Sequence, residues 1–175
     1  MQEMQLQPII KNNLVRLQPL KKEHMEALYE VAKDPKIWEQ HPCKRYLRSE
    51  FDSFFKESLA SKAALIIIDL KTDQIIGSSR YKIIDNFPNS VEIGWTFLSR
   101  DYWGGAYNTA VKQLMIAHAF KYMQHIILYV DIYNIRSQKA VQKLGGELID
   151  TAKYPELPDR TSDDLVFLIE KRLFH

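Results

Sequence analysis

Apolar residues recur along this chain with two periods, and the alternation between them divides it into predicted strands and helices. Leu14, Val15, Leu17 and Leu20 form a short extended stretch that closes at Pro19-Leu20, the first predicted strand. Met25, Leu28, Tyr29 and Ala32 then fall on one face of a helix predicted over Lys22–Lys33. It stops at Asp34-Pro35, because a residue before proline is pushed out of the helical region. The segment KIWEQHPCKRYLRS has no clean period and is predicted as a loop or broken helix over the core. Phe51, Phe54, Phe55 and Leu59 give the next helix its stripe, with Ser49 and Asp52 marking its start and Ser61 its end.

Ala63 to Leu70 is a continuous apolar run, the pattern of a strand covered on both faces. Lys71-Thr72-Asp73 turns the chain into a second strand, Gln74 to Ile84, where Gly77 points to a bulge or a close backbone approach. After a loop over Asn86–Ser90, SVEIGWTFL has period two, which puts Val91, Ile93, Trp95 and Phe97 on one face and Glu92, Gly94, Thr96 and Leu98 on the other. A helix is predicted from Asn108 to about Met123, followed by the apolar strand HIILYVDIYN, so that strand, helix and strand make a crossover unit. Asn134 is placed to cap a short helix with Ser137, Ala140, Val141 and Leu144 on its inner face, ending at Gly145-Gly146. Glu147–Tyr154 is predicted as a strand, Pro155–Asp159 as a loop and Asp164–Phe174 as the last strand.

The chemistry concentrates in the stretch from Arg100 to Phe120, where an aromatic pair and three small residues lead straight into a helix. Small residues let a ligand approach the backbone, and the free N–H groups of a first helical turn attract anions, so this reads as a phosphate cradle. The remaining composition narrows the partner. With 24 Lys+Arg against 22 Asp+Glu the net charge is only +2, which argues against a nucleic-acid or membrane surface. Cys43 is the only cysteine, so one chain can form neither a disulfide nor a thiolate cluster, and a reducing cytoplasm suits it. The N-terminus has neither a basic start nor an apolar signal core, and no apolar run approaches the ~18 residues of a membrane span. His24, His41, His125 and His175 lack ligand spacing with carboxylates, and His118 lies on an apolar helix stripe, so no metal is expected.

Three strings, in this order and spacing, resemble the GNAT superfamily of acyl-CoA-dependent N-acetyltransferases, in particular its RimJ/RimL-like branch: SVEIGW, WGGAYNTAVKQLMIAHAF and NIRSQKAVQKLGGEL. The resemblance runs from Leu14 to Leu173. It implies a single mixed α/β domain over residues 1–175, with residues 1–12 flexible or extended, and a mixed, partly antiparallel central sheet of about six to seven strands flanked by about four helices. It implies acetyl-CoA as the acyl donor, with Phe97 and Leu98 beside the pantetheine arm. Trp103, Gly104, Gly105, Ala106, Tyr107, Asn108 and Thr109 would then form the pyrophosphate loop. Asn134 and Ser137 would contact the pantetheine or an ordered water, and Lys139 and Lys143 could approach the 3′-phosphate. The family loop usually begins with Gln or Arg; here Asp101 takes that place and Arg100 sits one residue early, which leaves the pyrophosphate to backbone amides.

Acetyl transfer to an amine needs a neutral nucleophile and a protonated leaving thiol. An alkyl amine of pKa about 10.4 costs roughly 4–5 kcal/mol to hold neutral at pH 7, an α-amine near 7.8 only about 1. Glu92, the one carboxylate on the strand before the loop, is the candidate base, directly or through water; a structural role on the strand is the alternative. Ser137 resembles the family's proton donor to the thiolate, the alternative being hydrogen bonding at the helix start. The expected partners are acetyl-CoA and an amine acceptor, either a protein N-terminus or a small amine, on a monomer or homodimer, with no nucleic acid and no membrane. A dinucleotide-binding oxidoreductase is disfavoured because G-x-G-x-x-G is missing, and a P-loop NTPase because Gly-Lys-Ser/Thr is missing. A non-catalytic CoA-binding module would keep the cradle, and Glu92 and Ser137 favour the enzyme over it.

Overall fold

The computed structural model describes residues 3–158 and 163–174. Twelve regular elements follow one another: β1 (Ile10–Lys11), β2 (Val15–Pro19), α1 (Met25–Ala32), α2 (Arg48–Ala60), β3 (Ala64–Asp69), β4 (Ile75–Ile83), β5 (Ser90–Leu98), α3 (Tyr107–Ala119), β6 (His125–Asp131), α4 (Ile135–Lys143), β7 (Glu147–Leu148) and β8 (Asp164–Glu170). The strands form one eight-stranded sheet in the order β1-β2-β3-β4-β5-β6-β8-β7, one or two strands more than the sequence suggests. The strand that the sequence reading lacks is the two-residue β1, too short to show a period. All pairings are antiparallel except β5 with β6, the two strands joined through α3.

Alternation along the strands supplies two cores. Leu65 and Ile67 of β3 face the layer that holds Val111, Met115, Ile116 and Ala119 of α3 and Val141 of α4. Ala64, Ile66 and Ile68 face Leu28 and Ala32 of α1 and Phe51, Phe54 and Phe55 of α2. The run is therefore apolar throughout because β3 is covered on both sides. Residues 34–47, aperiodic in sequence, cross the second layer with Ile37 and Trp38 buried, and the Trp38 indole donates to Ala32 O at 2.8 Å. Gly77 is a true close approach: a Cβ there would stand 2.0 Å from Phe97 O, at the register shift between β3 and β4.

Several boundaries differ from the sequence reading. The first helix begins at Met25 after a 3-10 turn over Lys22–His24, and α2 begins at Arg48 with Leu47 as an N-cap that makes no side-chain bond, so Ser49 is not its cap. The third helix ends at Ala119, because Lys121 N and Tyr122 N shift to the three-residue bonds of a tight turn. Only Glu147–Leu148 of the expected strand pairs; beyond it Asp150 caps a 3-10 turn over Thr151–Lys153 through Ala152 N. Likewise β8 stops at Glu170 and a 3-10 turn over Lys171–Leu173 follows. The N-terminal segment lies against the body, with Met4 buried and the Gln7 amide donating to Ala64 O at 2.9 Å. Residues 1 and 2, Asp159 at the end of the expected loop, and His175 lie outside the described residues.

Candidate active site

Among the described residues one strand pair is parallel, and it opens. β5 and β6 are in register only over Ser90–Glu92 and His125–Ile127, and beyond Glu92 the two strands part. Glu92, buried at 4% exposure, is thus the last paired residue at the foot of the gap. Its side chain leans along β5: a Cβ on Gly94 would stand 3.2 Å from Glu92 Oε1, so a larger residue there would press the carboxylate aside by a few tenths of an ångström.

Above Glu92 the strand carries a bulge. The register of β5 on β4 shifts between Ser78 and Arg80, and Trp95 takes φ +54, in the left-handed region that a bulky residue rarely adopts. The extra residue reverses the phase expected from sequence. Val91, Ile93 and Leu98 pack in the α3 layer, while Trp95 and Phe97 pack in the layer of α1 and α2, so Trp95 and Phe97 do not share a face with Val91 and Ile93. A cation braces the bulge on each side. The Arg80 guanidinium lies 3.6 Å from the Trp95 ring centroid and pairs with Glu57 at 2.8 Å. From α3, the Lys112 ammonium donates to Thr96 Oγ1 at 2.6 Å, and Thr96 Oγ1 lies 2.7 Å from Ser79 Oγ. Burial pushes Lys112 down to about 8.

After β5 the chain turns through Arg100–Tyr102 into the small-residue loop and α3. Gly104 has φ +72, which a side chain would oppose, and neither Gly104 nor Gly105 has an atom within 4 Å of a Cβ built on it. The loop is therefore open rather than packed. Among the described residues, none of the backbone N–H groups from Gly104 to Thr109 donates a hydrogen bond within the protein; the first such donor is Ala110 N, to Ala106 O at 2.8 Å. A row of unsatisfied donors at the positive end of a helix is an anion site. Trp103 borders it, half-buried, its indole donating to Leu98 O at 3.0 Å.

The facing wall is the start of α4. Asn134 caps it by accepting from Ser137 N at 3.1 Å, as its position in the sequence suggests. Ser137 is half-buried, and among the described residues its hydroxyl makes no hydrogen bond; Lys139 and Lys143 are exposed. His118 is a satisfied core residue, buried and bonded through Nε2 to Gln5 O at 2.7 Å. Asp101 is exposed, and Arg100 is committed to Asp34, which holds the Asp34 carboxyl below its usual range. The positive charge at the loop comes instead from Arg136, whose guanidinium stacks 3.6 Å from the Trp103 ring centroid. Sequence spacing places Arg136 on the outer side of α4, and nothing in the pattern links it to Trp103. On the other side of the sheet, a cavity of about 450 Å³ is lined by Cys43, Arg45, Ser49, Glu50, Ser53, Phe54 and Glu57.

The parallel strand pair thus parts beside an open helix start lined by amides with no partner among the described residues. The GNAT acetyltransferase domain family matches residues 15–147. This chain belongs to the GNAT acetyltransferase family. Solved GNAT structures share its fold across nearly the whole length. A probable GNAT acetyltransferase from Chromobacterium violaceum superposes with a TM-score of 0.77 at 23% identity, covering 93% of this chain and 85% of that one. The Bacillus anthracis GNAT acetyltransferase gives 0.76 at 17%, covering 94% and 99%. The ribosomal alpha-N-protein acetyltransferase RimL, solved with coenzyme A, gives 0.73 at 16%, covering 93% and 98%. No curated protein matches this sequence. Among the described residues no group of three or more His, Cys, Asp and Glu is placed to hold a metal ion, and no helix is long and apolar enough to cross a membrane.

Proposed function

We propose that this GNAT chain is a single-domain, cytoplasmic, acetyl-CoA-dependent N-acetyltransferase of the RimJ/RimL-like branch, acting on a primary amine by direct attack in a ternary complex. The observation that carries this reading is the parting of β5 from β6 beyond Glu92, next to the unbonded amides from Gly104 to Thr109. The residues fit the donor. The open surroundings of Gly104 and Gly105 leave room for a pyrophosphate against the backbone, and the Arg136 guanidinium supplies the charge that Asp101 cannot. The backbone of Phe97 and Leu98 would border the pantetheine arm, Asn134 its far side, and Lys139 and Lys143 the 3′-phosphate. Acetyl-CoA supplies an activated acyl group and a thiol leaving group.

The chain's own residues then divide the proton work. Glu92, buried at the foot of the gap, takes the proton that the amine must lose, directly or through water. Ser137, whose hydroxyl has no hydrogen bond among the described residues, is the donor to the departing thiolate. The cavity beside α2 would admit the amine, with the Glu50 carboxylate on its wall and Glu57 already engaged by Arg80. A protein α-amine asks less of Glu92 than an alkyl amine does, by roughly 3–4 kcal/mol at pH 7. Thiol release from acetyl-CoA, followed with a panel of peptides, polyamines and aminoglycosides, tests the reading. Turnover with one amine class is expected. Acetyl-CoA that neither binds nor shifts Tm defeats the proposal, and binding without turnover for any amine would make the chain a CoA-binding module.

A further inference from the structure

Behind the glycine loop a buried carboxylate gathers four hydrogen bonds. Asp69 ends β3 and is 1% exposed. Its Oδ1 accepts from the Tyr107 hydroxyl at 2.9 Å and from Lys71 N at 3.3 Å; its Oδ2 accepts from the Thr72 hydroxyl at 2.8 Å and the Tyr102 hydroxyl at 3.2 Å. Lys71 and Thr72 belong to the turn that Asp69 itself begins. The two tyrosines come from a different part of the chain. Tyr102 ends the turn before the loop, and Tyr107 is the first residue of α3, so they stand at the two shoulders of Trp103–Ala106. Their rings meet edge to face, with centroids 4.8 Å apart. Between these shoulders Gly104, Gly105 and Ala106 are exposed, and nothing packs on either glycine. The geometry of the loop is thus set at its ends.

Burial pushes the Asp69 carboxyl up, but the hydrogen bonds from Thr72, Tyr107, the Lys71 amide and Tyr102 together hold it below its ordinary value. It is an anion at neutral pH, and a charged acceptor makes the stronger kind of hydrogen bond. We propose that Asp69 is a positioning residue of the acyl-CoA cradle, which fixes both ends of the glycine loop through Tyr102 and Tyr107 and so presents the loop amides together before the ligand arrives. The proposal rests on the acyl-CoA reading of the loop given above. Preorganisation of this kind acts on affinity, because a loop already ordered does not lose that freedom on binding.

Hydrogen exchange of the ligand-free protein reads the clamp directly, and calorimetric titration with CoA reads its consequence. Asp69→Asn should speed exchange of the bonded amides at the two ends of the loop, Trp103 N on Arg100 O and Ala110 N on Ala106 O, about tenfold, the size of one lost charged hydrogen bond, while leaving α2 and β6 unchanged. The double variant Tyr102→Phe/Tyr107→Phe keeps Asp69 and its turn, and it should give the same local effect. Both variants should bind CoA roughly tenfold more weakly, so that in turnover the loss falls on KM for acetyl-CoA more than on kcat. Unchanged loop exchange in the double tyrosine variant overturns the clamp, as does acceleration spread over the whole sheet in Asp69→Asn. Wild-type protein that fails to bind CoA, while loop exchange still responds to both variants, rejects the acyl-CoA reading and leaves the clamp in place.

Discussion

Replacing Lys112 with methionine should stabilise the protein at neutral pH, and raising the pH should remove the gain. Lys112 is 7% exposed between α3 and the sheet, and among the described residues its ammonium has one hydrogen-bond partner, Thr96. Burial lowers its pKa from 10.5 to about 8. At 1.36 kcal/mol per unit, that difference destabilises the fold by about 3 kcal/mol wherever the side chain is protonated in both states. Methionine has similar length and no charge, so it removes this cost and forfeits one hydrogen bond of roughly 1 kcal/mol. The net gain at pH 7 is about 2 kcal/mol, or roughly 4–8 °C in Tm for a chain of this size. The sign of the pH dependence follows from proton counting. Between about pH 8 and 10.5 the unfolded chain binds more protons at this site than the folded one, so wild-type stability rises relative to the variant through that window. Urea unfolding of both proteins at pH 7, 8.5 and 10 measures the gap. Tyrosine ionisation, including that of Tyr81, whose burial raises its phenol pKa, cancels in the difference. A variant no more stable than wild type at pH 7, or a gap as wide at pH 10 as at pH 7, would refute the reasoning.

Three further substitutions separate packing from chemistry. Ser137→Ala keeps the backbone N–H that Asn134 accepts from, so stability should stay within about 0.5 kcal/mol while kcat falls and acetyl-CoA affinity holds; an unchanged kcat removes Ser137 from the mechanism. Gly77→Ala drives a Cβ to 2.0 Å from Phe97 O, and urea unfolding should show a loss at or above the usual overpacking range of about 1–3 kcal/mol; a smaller loss would mean the two strands separate easily. Arg136→Ala should raise KM for acetyl-CoA several-fold with little change in kcat. Arg136→Lys should not restore it, because the planar guanidinium over Trp103 is lost; full rescue by lysine would reduce the contact to charge alone.

The sequence carried the helices and the two-sided strands because their signals are local and repeat several times. Leu28 and Ala32, or Phe51, Phe54 and Phe55, bury where a 3.6 period places them, and Asn134 caps where its side chain allows. The open glycine loop was legible for a similar reason, since Gly104 and Gly105 stand together just before the start of a helix. What escaped were features held by residues far apart in the chain. Asp69 meets Tyr102 and Tyr107 across more than thirty positions, with |i−j| of 33 and 38. Arg136 reaches Trp103 with the same independence from local pattern, and Arg100 is drawn off to Asp34.

The bulge at Trp95 shows how one such feature reorganises a site. A strict period of two would place Thr96 beside Glu92 on one face and Trp95 beside Val91 on the other. The added residue turns Trp95 toward α2, where Arg80 stacks on it, and turns Thr96 toward α3, where Lys112 reaches it. Two buried cations are an expensive way to hold one strand, as the pKa of Lys112 shows. A left-handed tryptophan adds strain of about 1–3 kcal/mol. Neither cost serves the hydrophobic core, which would be better filled by apolar side chains. Both are concentrated on β5 next to Glu92, where the pairing of the strand with β6 ends. Strain and buried charge that a fold does not need, gathered at the one place where its sheet opens, argue that this geometry is kept for binding and chemistry rather than for stability.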